Sequence, residues 1–169
     1  ESITLINALH FEFELDEKEI YFITRLGYPH LKPSDTAALL SIKSEIAAQP
    51  NLVVQLQDDD GNIYTIRNPI SPKEISKLHQ LYLEANLNVN FRPEHRFLVA
   101  ISDRGFIIGG SFYYRSDEET VHMEKIVVSN RYRRKGISEG VMNELFSRLK
   151  SENIKYVTTG FFRPEYFYR

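Results

Sequence analysis

Apolar and acidic positions alternate near the start of the chain, with Phe11, Phe13 and Leu15 set against Glu12 and Glu14. A second apolar run, IYFITRLGY, follows the polar stretch DEKE. Period-two alternation marks a strand with one buried face, so two strands joined by a polar turn are predicted within 3–28. Pro29, Pro33 and Ser34 interrupt the pattern, and DTAALLSIKSEIAAQ (35–49) reads as a helix stopped by Pro50. LVVQLQ and NIYTIR flank Asp58-Asp59-Asp60-Gly61-Asn62, a hairpin with its glycine in the turn. Ser71-Pro72-Lys73-Glu74 has the chemistry of a helix start: serine at the cap, proline at the first helical position, and glutamate three residues after the cap to close the box. Ile75, Leu78, Tyr82 and Ala85, with Leu81 beside them, then recur at helical spacing.

RFLVAIS and FIIGGSFYYR read as strands around Asp103-Arg104-Gly105, and VHMEKIVVS as a third. ISEGVMNELFSRLKSE carries Val141, Met142, Leu145, Phe146 and Leu149 on one side of a helix, and KYVTTGFF reads as a further strand. From about residue 62 the order is strand, helix, loop, three strands, helix, strand. That order predicts an α+β fold whose sheet is mostly antiparallel and flanked by helices.

Composition narrows the classes of function. The chain has 169 residues, enough for one domain or one plus a small appendage, with 21 Lys and Arg against 23 Asp and Glu. A net charge of −2 supplies no global field for nucleic acid or an anionic membrane. The absence of Cys removes disulfides, thiolate nucleophiles and Cys-based zinc sites together. Apolar runs of a few residues fall far short of the ~20 that span a bilayer. His10, His30, His79 and His95 show no metal-ligand spacing, so no metal is expected. The expectation is a soluble cytoplasmic protein with no membrane and no nucleic-acid partner, although Glu1 in place of Met leaves a processed N-terminus open.

The informative segment is Val127-Val128-Ser129-Asn130-Arg131-Tyr132-Arg133-Arg134-Lys135-Gly136-Ile137-Ser138, a strand and a basic turn running into a helix. The first N–H groups of a helix lack internal partners and lie at the positive end of its dipole. Gly136 and Ser138 let an anion come close to the backbone, and the surrounding side chains add charge. Three readings fit these residues: a solvated basic turn, a nucleic-acid patch through Arg131–Lys135, and a phosphate cradle.

Arg133-x-x-Gly136-x-Ser138 resembles the Q/R-x-x-G-x-G/A signature of the GNAT acyl-CoA-dependent N-acetyltransferases. NIYTIRNPISPKEI resembles the first strand and capped first helix of that fold, and the strands at 97–115, the strand ending Ile126-Val127-Val128 and FFRPEYFYR follow in the family's order. The resemblance spans about 62–168. It implies a GNAT-like domain over 51–169, preceded by an extension at 1–50. It also implies acetyl-CoA as co-substrate, with its diphosphate at the amides of Arg134, Lys135, Gly136, Ile137 and Ser138. Arg133 would organise the turn, and pantetheine would pair with the backbone of Ile126 and Val128.

The implied reaction is direct attack of a primary amine on the thioester. An ammonium with a pKa near ~10.4 must first lose a proton, and the oxyanion that forms needs a donor, for which the N–H of Val127 or Val128 is suited. His122 and Glu124, two apart on one strand, share a face. By the resemblance Glu124 is the base or water-relay residue, His122 its alternative or partner, and Tyr168 the proton donor to the departing thiolate. The acceptor would be an amine-bearing small molecule or peptide, its pocket drawn from 81–96 and the last strands, including Tyr82 and Phe91. Relatives continue past the position of Arg169 into a closing strand pair. The chain is therefore either a fragment or completed by another segment, and strands at 3–28 exchanged with a second copy would make a homodimer. A non-catalytic acyl-CoA-binding or interaction domain is the alternative function.

Overall fold

The computed structural model describes residue 32 and residues 34–48 and 52–159. Its elements in chain order are α1 (Thr36–Ala48), β1 (Val54–Gln57), β2 (Ile63–Arg67), α2 (Pro72–Glu84), β3 (Arg96–Ser102), β4 (Ile107–Arg115), β5 (Thr120–Met123), β6 (Val127–Val128), α3 (Ile137–Ser151) and β7 (Tyr156–Thr159). The strand pair expected within 3–28 lies outside the described residues. Two compact units divide the chain, one taking Asn68–Pro93 with the segment before Val53, the other taking Val53–Arg67 and everything from Glu94.

The first unit holds α1 and α2. Leu39 and Leu40 of α1 are buried, as are Ile75, Leu78 and Tyr82 of α2, the positions marked by helical spacing. The α2 cap forms as expected, with the Ser71 hydroxyl accepting from Glu74 N–H at 3.4 Å. The Glu74 carboxylate reaches one residue further back than a closed box, to Ile70 N–H at 2.7 Å. Tyr82 and Phe91 are buried and meet edge to face at 6.1 Å.

The second unit is a sheet in the order β1-β2-β3-β4-β5-β7, with β6 also on β4. Every pairing is antiparallel except β5 with β7. Ile137, Val141, Met142, Leu145 and Leu149 of α3 pack with Ile66, Leu98, Ala100, Ile108, Val121 and Met123 of the strands. β3 is buried on both faces, since Phe97 on its other side meets Phe112 at 6.2 Å.

The helices α2 and α3 end alike. Asn86 and Asn153 adopt φ of 59° and 62°, and the following residues donate back, Leu87 to Tyr82 O at 2.9 Å and Ile154 to Leu149 O at 3.0 Å. These are Schellman caps with Asn where Gly is commoner. Asn153→Ala is expected to lower unfolding free energy by about 1 kcal/mol, and Asn153→Gly to leave it unchanged or higher, in denaturant titrations.

One expected strand is two. VHMEKIVVS breaks at Glu124-Lys125-Ile126 into β5 and β6, both on the same edge of β4. Tyr113–Arg115 of β4 pair with β5, and Gly109–Gly110 pair with β6. At the break β4 keeps hold of Glu124: its N–H donates to Phe112 O at 2.9 Å, and the buried Ser111 hydroxyl donates to its carbonyl at 2.9 Å. Gly109 makes the β6 contact possible, because a Cβ there would stand 2.7 Å from Val127 O. Gly109→Ala is expected to cost about 1–3 kcal/mol, read by thermal melting, since backbone and not a flexible side chain must give way.

Candidate active site

The break separates two pairings along one edge of β4. β5 stays paired with β7 up to Met123 against Thr159, whereas among the described residues β6 pairs with β4 alone. Ser129 donates its N–H to Ile108 O at 2.7 Å, toward β4. Peptide directions alternate along a strand, so Val128 turns its N–H and C=O, and Ile126 its C=O, away from β4, while Val127 turns its own toward β4. Of the two donors expected for an oxyanion, Val128 has the accessible N–H and Val127 does not. Ile126 and Val127 are buried and Val128 half-buried.

β6 leads into a tight loop, a 3-10 turn over Asn130–Tyr132, and then α3. Arg133 closes this loop on itself, its Nε donating to Val128 O at 3.1 Å. Arg134 and Gly136 take left-handed φ values of 62° and 82°. α3 starts at Ile137 with no side-chain cap. The N–H groups of Ile137 and Ser138 thus lack an intrahelical partner, at the positive end of the helix.

The acidic hairpin turn between β1 and β2 packs onto this loop, a contact that turn chemistry alone did not reveal. Asp59 N–H donates to Lys135 O at 2.8 Å, and Asp60 pairs with the Lys135 ammonium at 3.1 Å. The hydrogen bond to Asp60 raises the Lys135 pKa. Lys135 also stands 5.7 Å from the Tyr132 ring centre. Asp58, buried, orders the turn by accepting from the N–H groups of Asp60 and Asn62, each at 2.9 Å. With Lys135 and Arg133 engaged, the expected basic patch reduces to Arg131 and Arg134, both exposed. A polar cleft of about 400 Å³ opens beside the loop, lined by Tyr64, Ser102, Arg104, Arg131, Tyr132 and Lys135 among others. Burial, and then the charges of Asp58 and Asp59, push the Tyr64 phenol up, so it stays neutral.

At the end of β5 stand His122 and Glu124. Their side chains share a face as expected, with His122 Nε2 3.3 Å from Glu124 Oε1. They remain 22% and 35% exposed, so water and a small acceptor can reach them. On the other side of the imidazole, Nδ1 is 2.9 Å from the Thr158 hydroxyl, brought there by the parallel register of His122 with Thr158. The Tyr114 ring lies 5.2 Å from the imidazole, and His95 stacks on Tyr114 at 5.5 Å. Thr158 was not marked by any sequence motif, and only the β5–β7 register identifies it. Tyr168 lies outside the described residues. Among the described residues, no three His, Asp or Glu side chains gather as a metal site, and no helix is long and apolar enough to cross a membrane.

A strand broken along one edge of the sheet, followed by a glycine loop that feeds a helix N-terminus, defines a class of acyl-transfer folds. The model of the acetyltransferase (GNAT) family matches residues 61–164. The chain belongs to that family. Among solved structures it is similar to a point variant of a Bacillus halodurans protein, at 14% identity and TM-score 0.50 over 61% of this chain and 88% of that one. It is also similar to a GNAT-family acetyltransferase of Staphylococcus aureus, at 18% identity and TM-score 0.49 over 62% and 80% of the two chains. A third is a GNAT-family acetyltransferase of Elizabethkingia anophelis with acetyl-CoA bound, at 19% identity and TM-score 0.47 over 62% and 72%. No curated protein matches the chain.

Proposed function

We propose that residues 51–169 form an N-acetyltransferase domain that moves an acetyl group from acetyl-CoA to a primary amine by direct attack. The observation that carries this reading is the break between β5 and β6. Among the described residues, the edge of β6 away from β4 pairs with no strand, and it runs from the His122–Glu124 pair at one end to the uncapped N-terminus of α3 at the other. An extended chain with a polyanionic end fits that path.

Acetyl-CoA supplies an acyl group activated as a thioester. The residues do the rest. Ile126 offers its outward C=O, and Val128 its N–H, to the pantetheine arm as an added strand would. The amides of Arg134 to Ser138 take the diphosphate, with Gly136 supplying the left-handed turn that the loop needs. Lys135, held by Asp60, sets local charge without blocking those amides. Glu124 accepts the proton that an ammonium must lose, steadied by His122, and Val128 N–H faces the oxygen that gains charge. Tyr168 is the proposed proton donor to the leaving thiolate.

The test has two arms. Calorimetric titration with acetyl-CoA is expected to give micromolar-range binding, and thiol release is expected with at least one member of a panel of peptide lysines, amino acids, polyamines and aminoglycosides. Absence of both heat and thiol release removes the proposal. Binding without thiol release, unchanged by Glu124→Gln, would instead make the domain a non-catalytic acyl-CoA binder.

A further inference from the structure

The proposed base pair has a third member. We propose that Thr158 is a positioning residue that fixes the tautomer and orientation of the His122 imidazole against Glu124. The inference rests on reading Glu124 and His122 as the proton-handling pair.

The chemistry of the three groups admits one arrangement. An ionised carboxylate only accepts, so His122 Nε2, 3.3 Å from Glu124 Oε1, carries the hydrogen. The neutral ring then has a bare Nδ1, an acceptor, and the Thr158 hydroxyl 2.9 Å away donates to it. When the ring is protonated, Nδ1 becomes a donor and the same hydroxyl turns to accept. A threonine therefore satisfies Nδ1 in both protonation states, which neither a carboxylate nor an amide N–H could do. Tyr114 closes one side of the ring at 5.2 Å, with His95 behind it. The faces around the imidazole thus present Glu124, Thr158 and Tyr114, from the break, β7 and β4. Without the hydroxyl, Nδ1 loses its protein partner, and only the Nε2 contact to Glu124 Oε1 still sets the ring's tautomer and orientation.

The placement also ties the contact to the break. β5 and β7 pair through His122–Thr158 and Met123–Thr159, and then the first strand breaks at Glu124. Thr158 is therefore the side chain through which β7 reaches the proton-handling pair at the end of β5.

The test compares Thr158→Val, which keeps the shape on an exposed strand position and removes the hydroxyl, with Thr158→Ser, which restores it. Two readouts are used: nitrogen-15 signals of the His122 ring in the protein alone, which report where the hydrogen sits, and steady-state kinetics with acetyl-CoA and an accepted amine. Thr158→Val is expected to turn a single-tautomer ring signal into a mixed one. It should lower kcat about three- to tenfold, the scale of one hydrogen bond, at unchanged KM for acetyl-CoA. Thr158→Ser should restore both. Ring signals that do not change in Thr158→Val, or a serine variant that behaves like the valine one, overturn the role. If the wild-type chain turns over no amine, the acetyltransferase reading fails, while the ring signals still decide whether Thr158 fixes the imidazole.

Discussion

Glu124→Gln is expected to lower kcat by about 10²–10³-fold while leaving acetyl-CoA affinity within twofold of wild type. The amide keeps the size of the carboxylate but cannot take a proton, and a positioned general base contributes about 10²–10⁴-fold. Affinity should hold because Glu124 is fixed through its backbone, to Phe112 O and the Ser111 hydroxyl, and those contacts survive the substitution. His122→Gln should cost less, about tenfold, if the imidazole steadies the carboxylate and does not itself accept the amine's proton. The reverse ranking, with His122→Gln the more damaging, would transfer the role of base to the imidazole. Stopped-flow thiol release at saturating amine, with calorimetry on the same samples, separates the chemical step from binding. A Glu124→Gln protein that releases thiol at the wild-type rate would remove Glu124 from the proton path altogether.

What could be read from the residues followed the range over which each signal acts. The start of α2 was legible because Ser71, Pro72 and Glu74 act within one helical turn, and the buried stripe Ile75, Leu78, Tyr82 follows from a fixed period. The loop before α3 was legible as a turn feeding a helix because Arg133, Gly136 and Ser138 are close in sequence. The break at Glu124–Ile126 was not. VHMEKIVVS is as β-prone after the break as before it, and what divides it is its register on β4, which shifts by one residue between Tyr113–Met123 and Gly110–Val127. The contacts of Asp59 and Asp60 with Lys135 join positions about 75 residues apart in sequence, and Thr158 meets His122 across 36. No local periodicity encodes such pairs; they follow from register. The Asp58–Asp60 run read as a turn is indeed a turn, and its second role arises because the sheet order lays that turn against the loop before α3.

Gly136→Val is expected to abolish measurable acetyl-CoA binding, a loss of at least about 30-fold, while the domain stays folded. Two costs coincide at this residue. Its φ of 82° is a left-handed conformation that costs an L side chain about 1–2 kcal/mol. A Cβ would also stand 2.9 Å from Asp59 Oδ1, so the hairpin turn or the loop must shift. Either shift disturbs the Asp59 N–H contact to Lys135 O that holds the loop at 2.8 Å. The amides proposed for the diphosphate lie within that same short stretch, so a displacement of under an ångström misaims several donors together. The two costs can be separated. Gly136→Ala with Asp59→Ala removes the steric conflict and leaves the backbone strain. If crowding dominates, the pair should bind acetyl-CoA better than Gly136→Ala alone; if the left-handed backbone dominates, the second change should recover nothing. Calorimetry on the three proteins, with melting curves to show that each is folded, measures both. Wild-type affinity in Gly136→Val would mean that the cofactor's diphosphate does not use this loop, and the proposed orientation of acetyl-CoA along β6 would have to be reversed.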